Sequence, residues 1–327
     1  MKLLVIGSED RTRKYLPNTP LVEDVDIVVA ARGTSDEDIL ALASDADFIM
    51  ADAISPVSAH LMENMPNLKL VHSEGVAYNA IDTEAAKRLG VTVCNNAGVN
   101  ASGVAEQTVL LMLACLRDAV NADAAVRRGA QIETKERMMV EGIRELGDCT
   151  VGFVGFGAIA QATAKRLAGW GCPMLYNKRH RLPVDVEASL GVKLASIDDI
   201  ARTCDIVSIH VPVADDTRGM VDDEFLANMK QDAILINTAR GEIVDNDALA
   251  RALESNAILA AGLDVIAPEP VLPDNPLLNL SEAASRKLVL SPHVGGITEG
   301  MFYRAHRRAW DNIELVVNGE APRNIVA

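Results

Sequence analysis

The chain has 327 residues, roughly twice the usual size of one domain, so its length predicts two domains. A net charge of −15 and an aromatic content of only 3% exclude a duplex-binding surface and a stacking platform for single-stranded nucleic acid. The longest apolar run, 109–116, is too short to span a bilayer, so the composition predicts no membrane and no nucleic-acid partner.

The cysteines and the N-terminus indicate the compartment. Five cysteines are scattered without C-x-x-C spacing, which predicts buried free thiols in a reducing cytoplasm rather than a disulfide framework. The run 1–7 is too short for a signal peptide and is typical of a first strand. No histidine has metal-ligand spacing to another histidine or cysteine, so we expect a cytoplasmic protein without a metal site.

In the first third of the chain, short β-rich segments alternate with helical ones. Ser35 and Asp82 are suitable N-caps for helices over 36–43 and 83–89, and Gly90 suits the position after the second helix. The predicted strands are 3–6, 25–30, 47–50, 68–72 and 91–95. This alternation predicts a parallel sheet covered by helices.

The middle of the chain separates two such regions. Most positions of the segment 101–129 are apolar or small, which predicts one long helix buried between domains or subunits. Residues 130–147 are polar, and we expect them to be irregular and exposed. From Thr150 the alternation resumes, with predicted strands at 151–154, 174–176, 206–210, 233–237, 259–263 and 288–291, and helices at 158–168, 197–203, 248–253 and 298–317.

A glycine-rich loop lies between the strand 151–154 and the helix that follows it. Gly155, Gly157 and Ala160 form the pattern G-x-G-x-x-A. The glycines allow a tight turn and close approach to a pyrophosphate, and the helix N-terminus offers free N–H groups. The order of strand, loop and helix therefore predicts dinucleotide binding, although a turn kept for packing alone would contain the same glycines.

The next predicted strand is followed by cationic residues where NAD-binding sites have an acidic one. That acidic residue would bind the ribose hydroxyls of NAD and repel a 2′-phosphate. Lys178 and Arg179 would instead bind the phosphate, unless the cluster 178–181 is only a solvated loop. A charge-assisted contact is worth about 1.5–3 kcal/mol, so we expect NADP(H) as the preferred cofactor, with NAD possible.

Four further motifs follow in order: INTARG at 236–241, GLDV at 262–265, PEP at 268–270 and SPHVGG at 291–296. With the loop at 155–160, they closely resemble the D-isomer-specific 2-hydroxyacid dehydrogenases, over nearly the whole chain. The resemblance implies an α/β fold of two domains, usually in a homodimer. A Rossmann nucleotide-binding domain, 100–290, is expected to be inserted into a flavodoxin-like substrate-binding domain, 1–99 plus 291–327.

The same resemblance implies a catalytic trio of Arg240, Glu269 and His293. A guanidinium can hold the carboxylate of a 2-oxo acid and polarise the neighbouring carbonyl. An imidazole suits proton transfer near neutral pH, and a carboxylate paired with it favours the charged ring and fixes its orientation. Taken singly, Arg240 could equally be a structural clamp and His293 a core histidine.

Other contacts are also carried over from the family. The expected cofactor contacts are Gly155, Phe156, Gly157, Ala158, Ile159, Lys178, Arg179, Val211, Pro212, Thr217, Thr238, Ala239, Asp264, Gly295, Gly296 and Thr108. Gly75 and Val76 are expected to bind the substrate together with Arg240. Ala77 departs from the family, in which a second glycine is common, and the absence of an arginine near Ser73 argues against a phosphorylated substrate.

We therefore predict a reductase of small 2-oxo acids to D-2-hydroxy acids, with glyoxylate and hydroxypyruvate as first candidates. Two alternatives remain open. One is a dehydrogenase of larger 2-keto acids, and the other is a dinucleotide-sensing, corepressor-like binding protein of the same fold. Formate dehydrogenases are a poor match because they carry Gln where this chain has Glu269.

Overall fold

The computed structural model describes residues 1–327 and divides the chain into two compact units. Unit 1 consists of 1–100 and 297–327, and unit 2 of 101–296. The second boundary falls later than the expected 290/291. The reason is local: the His293 N–H donates to the Asp264 carbonyl at 2.8 Å, which ties the segment after the last strand to unit 2.

The two units contain twelve strands and fourteen α-helices. The strands are β1 (Lys2–Ile6), β2 (Asp26–Ala30), β3 (Phe48–Ala51), β4 (Leu70–Ser73), β5 (Thr92–Cys94), β6 (Val151–Val154), β7 (Met174–Asn177), β8 (Val192–Leu194), β9 (Ile206–Ile209), β10 (Ile234–Asn237), β11 (Ala260–Leu263) and β12 (Leu288–Leu290). The helices are α1 (Glu9–Lys14), α2 (Asp36–Ala43), α3 (Ala59–Glu63), α4 (Thr83–Leu89), α5 (Ala101–Leu116), α6 (Ala119–Arg127), α7 (Gln131–Glu141), α8 (Ala158–Leu167), α9 (Val184–Leu190), α10 (Ile197–Thr203), α11 (Asp223–Asn228), α12 (Asn246–Glu254), α13 (Glu282–Ser285) and α14 (Glu299–Val317). None of them has both the length and the apolar character that a membrane-crossing helix needs.

Unit 1 is built on a parallel five-stranded sheet of order β2-β1-β3-β4-β5. This is the flavodoxin-like order, and it confirms the predicted fold class for this unit. The expected helix ends are also confirmed. The Ser35 hydroxyl accepts from the Asp38 N–H at 3.2 Å, the Asp82 carboxylate accepts from the Ala85 N–H at 2.8 Å, and Gly90 ends α4 with φ 71°.

Unit 2 is built on a parallel seven-stranded sheet of order β12-β11-β10-β9-β6-β7-β8. Counted from β6, the order on one side is 3-2-1 and on the other 4-5-6, which is the dinucleotide-binding arrangement. The strand order reverses between β6 and β9, so ligands are expected at the carboxyl ends of these two strands. The Rossmann fold class is thereby confirmed.

Two predictions for the middle of the chain are wrong. The single helix expected over 101–129 is broken at Asp118, which has the left-handed φ of 46° and is the N-cap of α6. The segment 130–147, expected to be irregular, contains α7. This helix has no buried residue, and an Arg137–Glu141 ion pair one turn apart supports it. Polar residues outnumber apolar ones in this helix and fill its middle at 133–137, so its few apolar positions give sequence periodicity little to reveal.

Candidate active site

The glycine loop between β6 and α8 has the backbone that a close-approaching phosphate requires. Gly155 has φ 87°, and a Cβ atom there would lie 2.6 Å from the His210 carbonyl oxygen, so only glycine fits. Gly157 is the N-cap of α8, and a Cβ there would meet no atom within 4 Å. The first glycine therefore makes the turn, and the second leaves open space in front of the helix.

The N-terminus of α8 has unused hydrogen-bond donors. No side chain caps it, and the backbone N–H groups of 156–159 find no acceptor in the protein. In contrast, α2 and α4 are capped by Ser35 and Asp82. Donors left free at a helix N-terminus favour an anion, so this cradle fits the pyrophosphate of a dinucleotide.

Lys178 and Arg179 follow β7, as the sequence predicts, and no carboxylate occurs at 177–181. Lys178 forms no ion pair, whereas an Arg179 guanidinium nitrogen lies 2.7 Å from a carboxylate oxygen of Asp216. The Arg179 and Asp216 side chains are 79% and 63% exposed, so this ion pair is weak and can be displaced.

The loop after β9 is stabilised by its own hydrogen bonds. The Thr217 hydroxyl donates to the Pro212 carbonyl at 2.6 Å and accepts from the Ala214 N–H at 2.8 Å. Burial lowers the pKa of His210 to about 3, so its ring is neutral and shares a 2.8 Å hydrogen bond with the Ser208 hydroxyl. Val211, Pro212 and Thr217 thus lie on one rigid turn, and their contact with a cofactor stays a prediction.

Two threonines expected at the cofactor lie in the interior of unit 2. Thr108 on α5 is fully buried, and its hydroxyl donates to the Val104 carbonyl at 2.8 Å. The Thr238 hydroxyl, after β10, lies 2.9 Å from that of Thr108. Because the Thr108 proton is used on Val104, Thr238 is the donor of this bond. The pair ties α5 to the end of β10, and any cofactor contact by Thr108 stays a prediction.

Arg240 lies on a rigid turn at the end of β10. The Asn237 side chain accepts from the Ala239 N–H at 2.9 Å and donates to the Arg240 carbonyl at 2.8 Å. A Cβ on Gly241 would lie 2.3 Å from the Ala267 nitrogen, so this backbone packs directly against the following loop. The exposed guanidinium has no carboxylate partner, and its one bond in the protein is from Nη1 to the Ala239 carbonyl, at 2.6 Å. Most of its donors remain available to an anion.

His293 and Glu269 form the predicted pair. The imidazole Nδ1 lies 2.8 and 2.9 Å from the two carboxylate oxygens of Glu269. A carboxylate partner assigns a proton to Nδ1, which leaves Nε2, without a partner in the protein, as the second functional atom. The imidazole is 39% exposed, so Nε2 can be reached from solvent. The backbone at His293 is left-handed, with φ 55°.

Asp264 holds the loop that carries His293. Its carboxylate accepts from the Ser291 hydroxyl, from the Val294 N–H at 3.1 Å and from the Gly295 N–H at 2.9 Å. Sequence reasoning assigned Asp264 only to the cofactor and overlooked this anchoring. It also overlooked Gln107, whose amide donates to the Ser291 hydroxyl at 2.8 Å. The SPHVGG motif offered a signal for the anchoring role of Asp264, because the N–H groups of so short a loop need an acceptor.

The loop 73–77 in unit 1 has free donors like those of the phosphate loop. Asn96 binds the Gly75 carbonyl through its N–H at 2.8 Å, and the Asn95 amide donates to the Val76 carbonyl at 2.7 Å. The N–H groups of Val76 and Ala77 have no acceptor in the protein. Gly75 offers no free donor, because its own N–H binds the Ser73 hydroxyl. Its role is to leave room for the close approach of Ala53, since a Cβ atom on Gly75 would lie 2.7 Å from the Ala53 Cβ.

Glu74, within this loop, forms a cluster with Arg11 and His306 that the sequence analysis did not predict. Glu74 accepts from Arg11 at 2.6 Å and from the Nε2 of His306 at 2.8 Å. His306 is fully buried in α14 and lies more than two hundred residues from Glu74 along the chain. No spacing in the sequence could reveal the contact.

Residues 109–295 match the family model described as "D-isomer specific 2-hydroxyacid dehydrogenase, NAD binding domain". The glyoxylate reductase of Korarchaeum cryptofilum is 35% identical over 288 residues, covering 88% of this chain and 85% of that protein. The glyoxylate reductase of Aeropyrum pernix is 36% identical over 293 residues, covering 89% and 85%. Among solved structures, an acyclic imino acid reductase in complex with NADPH and D-Arg is 25% identical, with a TM-score of 0.81 and 100% of both chains covered.

Proposed function

Because the chain belongs to the D-isomer-specific 2-hydroxyacid dehydrogenases, oxidoreductases with an NAD-binding domain, we propose that it reduces a small 2-oxo acid to the D-2-hydroxy acid, with NADPH as the preferred reductant. The observation that carries this proposal is the imidazole–carboxylate pair of His293 and Glu269 on a loop anchored by Asp264. A buried, structural histidine would be neutral and bonded at both ring nitrogens, as His72 is.

Each residue has a chemical role in this reaction. When bound, reduced nicotinamide supplies the hydride to the carbonyl carbon. Arg240 holds the substrate carboxylate and polarises the carbonyl, because its donors have no competing carboxylate. His293 delivers a proton from Nε2 to the oxygen that becomes the alcohol, and Glu269 holds the ring and balances its charge. The products are the hydroxy acid and the oxidised cofactor.

Glyoxylate and hydroxypyruvate are the proposed substrates. The relatives named glyoxylate reductases match most of this chain, which supports the smaller 2-oxo acids. The free N–H of Val76 supports the prediction that this loop binds a carboxylate. Larger 2-keto acids are the second candidate, to be separated by kcat/KM across a panel of 2-oxo acids.

The test is NADPH oxidation with that panel, in the parent and in His293→Ala. We expect turnover in the parent and a loss of kcat of roughly 10²–10⁴ in the variant, the usual contribution of a general acid. His60→Ala, at an exposed histidine of unit 1, is the matched control and should keep the parent rate. Unchanged turnover in His293→Ala would refute the mechanism, and no turnover with any 2-oxo acid would favour a binding protein.

The preference for NADPH is supported by Lys178 and Arg179 and by the missing carboxylate at 177–181. Arg179→Asp should lower the NADPH/NADH ratio of kcat/KM by about tenfold or more, since it removes a charge-assisted contact and adds a repulsive one. Asp216→Asn should raise the same ratio, because it frees Arg179 from its ion pair. An unchanged ratio in both variants would overturn the NADPH assignment.

We also propose a homodimer formed through unit 2. Large apolar side chains are exposed along α5, α6 and α7, among them Leu110 at 56%, Ile132 at 65%, Met139 at 73% and Val140 at 89%. Exposed apolar side chains in such number on neighbouring segments indicate a protein interface.

A further inference from the structure

A cavity of about 550 Å³ in unit 1 has a charge opposite to that of the whole chain. Its lining includes Arg304, Arg307, Arg308 and Arg323, with Asp311 as the one carboxylate. Four guanidinium groups and one carboxylate leave a local charge of +3, in a protein whose net charge is −15. None of these residues belongs to the proposed active site.

The arginines of α14 share one face of the helix. Residues three and four apart are neighbours on a helix surface, and like charges at this spacing are destabilising. Arg307 pairs with Asp311 at 2.8 Å, one turn further on. Arg304, Arg308 and Arg323 have no carboxylate within 4.0 Å, although the chain contains 46 acidic residues. The protein thus leaves this cluster largely unneutralised.

Backbone groups, not acids, hold the arginines in place. Arg304 donates through two nitrogens to the Val99 carbonyl at 3.3 and 3.0 Å, and Arg308 donates to the Ala97 carbonyl at 2.7 Å. These bonds orient the guanidinium groups and leave their positive charge intact. Each group keeps further N–H donors without a partner in the protein.

A buried amide positions the fourth arginine. The Asn312 side chain, fully buried in the floor of the cavity, accepts from the Arg323 N–H at 2.8 Å and donates to the Arg323 carbonyl at 3.0 Å. The guanidinium of Arg323 itself has no hydrogen-bond or ion-pair partner in the protein. An ordinary solvated arginine needs no buried side chain to hold its backbone. The Asn312 contact therefore indicates that the position of Arg323 is fixed for binding.

We propose that this cavity binds a small phosphate-type polyanion, such as a pyrophosphate group or a phosphorylated metabolite. The guanidinium fork matches the oxygens of phosphate in a bidentate geometry. Four forks offer more donors than a single carboxylate can accept, so adjacent phosphates are the better fit. The volume lies in the range of small-molecule sites.

The test is isothermal titration with inorganic pyrophosphate at constant ionic strength and without cofactor or substrate. The parent should bind it saturably, and Arg323→Gln should weaken binding by about tenfold or more through loss of a charge-assisted contact. The thermal midpoint of Arg323→Gln should stay that of the parent, because its guanidinium has no partner to lose. Arg88→Gln is the matched control, an exposed unit 1 arginine paired with Glu63, and should bind as the parent does.

Four results would overturn the proposal. Absence of saturable binding excludes the site, and equal binding by Arg323→Gln places the pyrophosphate elsewhere, as at the α8 cradle. An equal loss in Arg88→Gln would mean that only overall charge matters. Citrate, a polycarboxylate, tests whether the site prefers phosphate groups to carboxylates. Weaker binding of citrate than of pyrophosphate supports the phosphate class, and equal binding of the two rejects it. Because no turnover is measured, the outcome is independent of the proposed function.

Discussion

His72 shows how a single buried residue responds to its hydrogen bonds. Its Nδ1 lies 2.8 Å from the Ser73 carbonyl, and its Nε2 lies 3.0 Å from the Asn312 amide nitrogen. Because a carbonyl only accepts and an amide N–H only donates, these bonds require the neutral ring with the proton on Nδ1. Burial lowers the pKa of His72 to about 4, and the nearby Arg308 acts in the same direction.

This pKa predicts an acid-sensitive part of the stability of unit 1. An unfolded histidine titrates near pH 6.5, so between about 6.5 and 4 the unfolded state binds a proton that folded His72 does not. The free energy of unfolding should therefore fall as the pH falls through this range. In His72→Gln the fall should be shallower by up to about 1.4 kcal/mol per pH unit, as measured by urea denaturation from pH 7 to 4.

The control for this prediction is His60→Gln, at an exposed histidine of the same unit. It should keep the pH slope of the parent. If His72→Gln also keeps that slope, His72 titrates as an ordinary histidine and its buried neutral state is wrong.

At the scale of single elements, the turn into α8 requires glycine at position 155 but not at position 157. Gly155→Ala must adopt φ 87° and place a Cβ 2.6 Å from the His210 carbonyl, whereas Gly157 has φ −85° and open space around it. We expect Gly155→Ala to destabilise unit 2 by about 2 kcal/mol or more, since the left-handed backbone alone costs about 1–2 kcal/mol.

The matched variant Gly157→Ala should leave the thermal midpoint almost unchanged and act on the cofactor alone. Differential scanning fluorimetry and NADPH titration of both variants provide the measurement. Equal thermal midpoints for Gly155→Ala and the parent would show that the turn can relax. Equal NADPH affinity in Gly157→Ala and the parent would show that no cofactor phosphate approaches this space.

Other elements show where sequence patterns fail. The pattern located α2, α4 and α10 to the residue, because side-chain caps and apolar spacing agree there. It missed α1, α3 and α9, which have five to seven residues, although α4 and α10 also have only seven, so length alone does not decide which short helices a pattern reveals. The break at Asp118 was not predicted because no glycine or proline marks it in the sequence.

At the scale of the whole molecule, the proposed dimer is open to direct measurement. The chain has a mass of 35.0 kDa, so light scattering after size exclusion should give about twice this mass for the parent. Val140→Asp places a charge on an apolar side chain that is 89% exposed, and should shift the protein to the monomer. Ile54→Asp, at a 66% exposed residue of unit 1, should leave the mass unchanged.

A monomeric parent, or a dimer that persists in Val140→Asp and is lost in Ile54→Asp, would contradict the assignment of the interface to unit 2. The second result would move the interface to unit 1.

Local patterns determined the two α/β bodies, the phosphate loop and the order of motifs that identifies the family, because each depends on residues close together in the chain. The tertiary structure alone decided which distant groups meet. It brought Glu74 to His306 and the Asn312 amide to Arg323. It also brought Arg323 beside the three arginines of α14, because helix spacing determines which residues share a face of the helix but not which later residue folds back onto it.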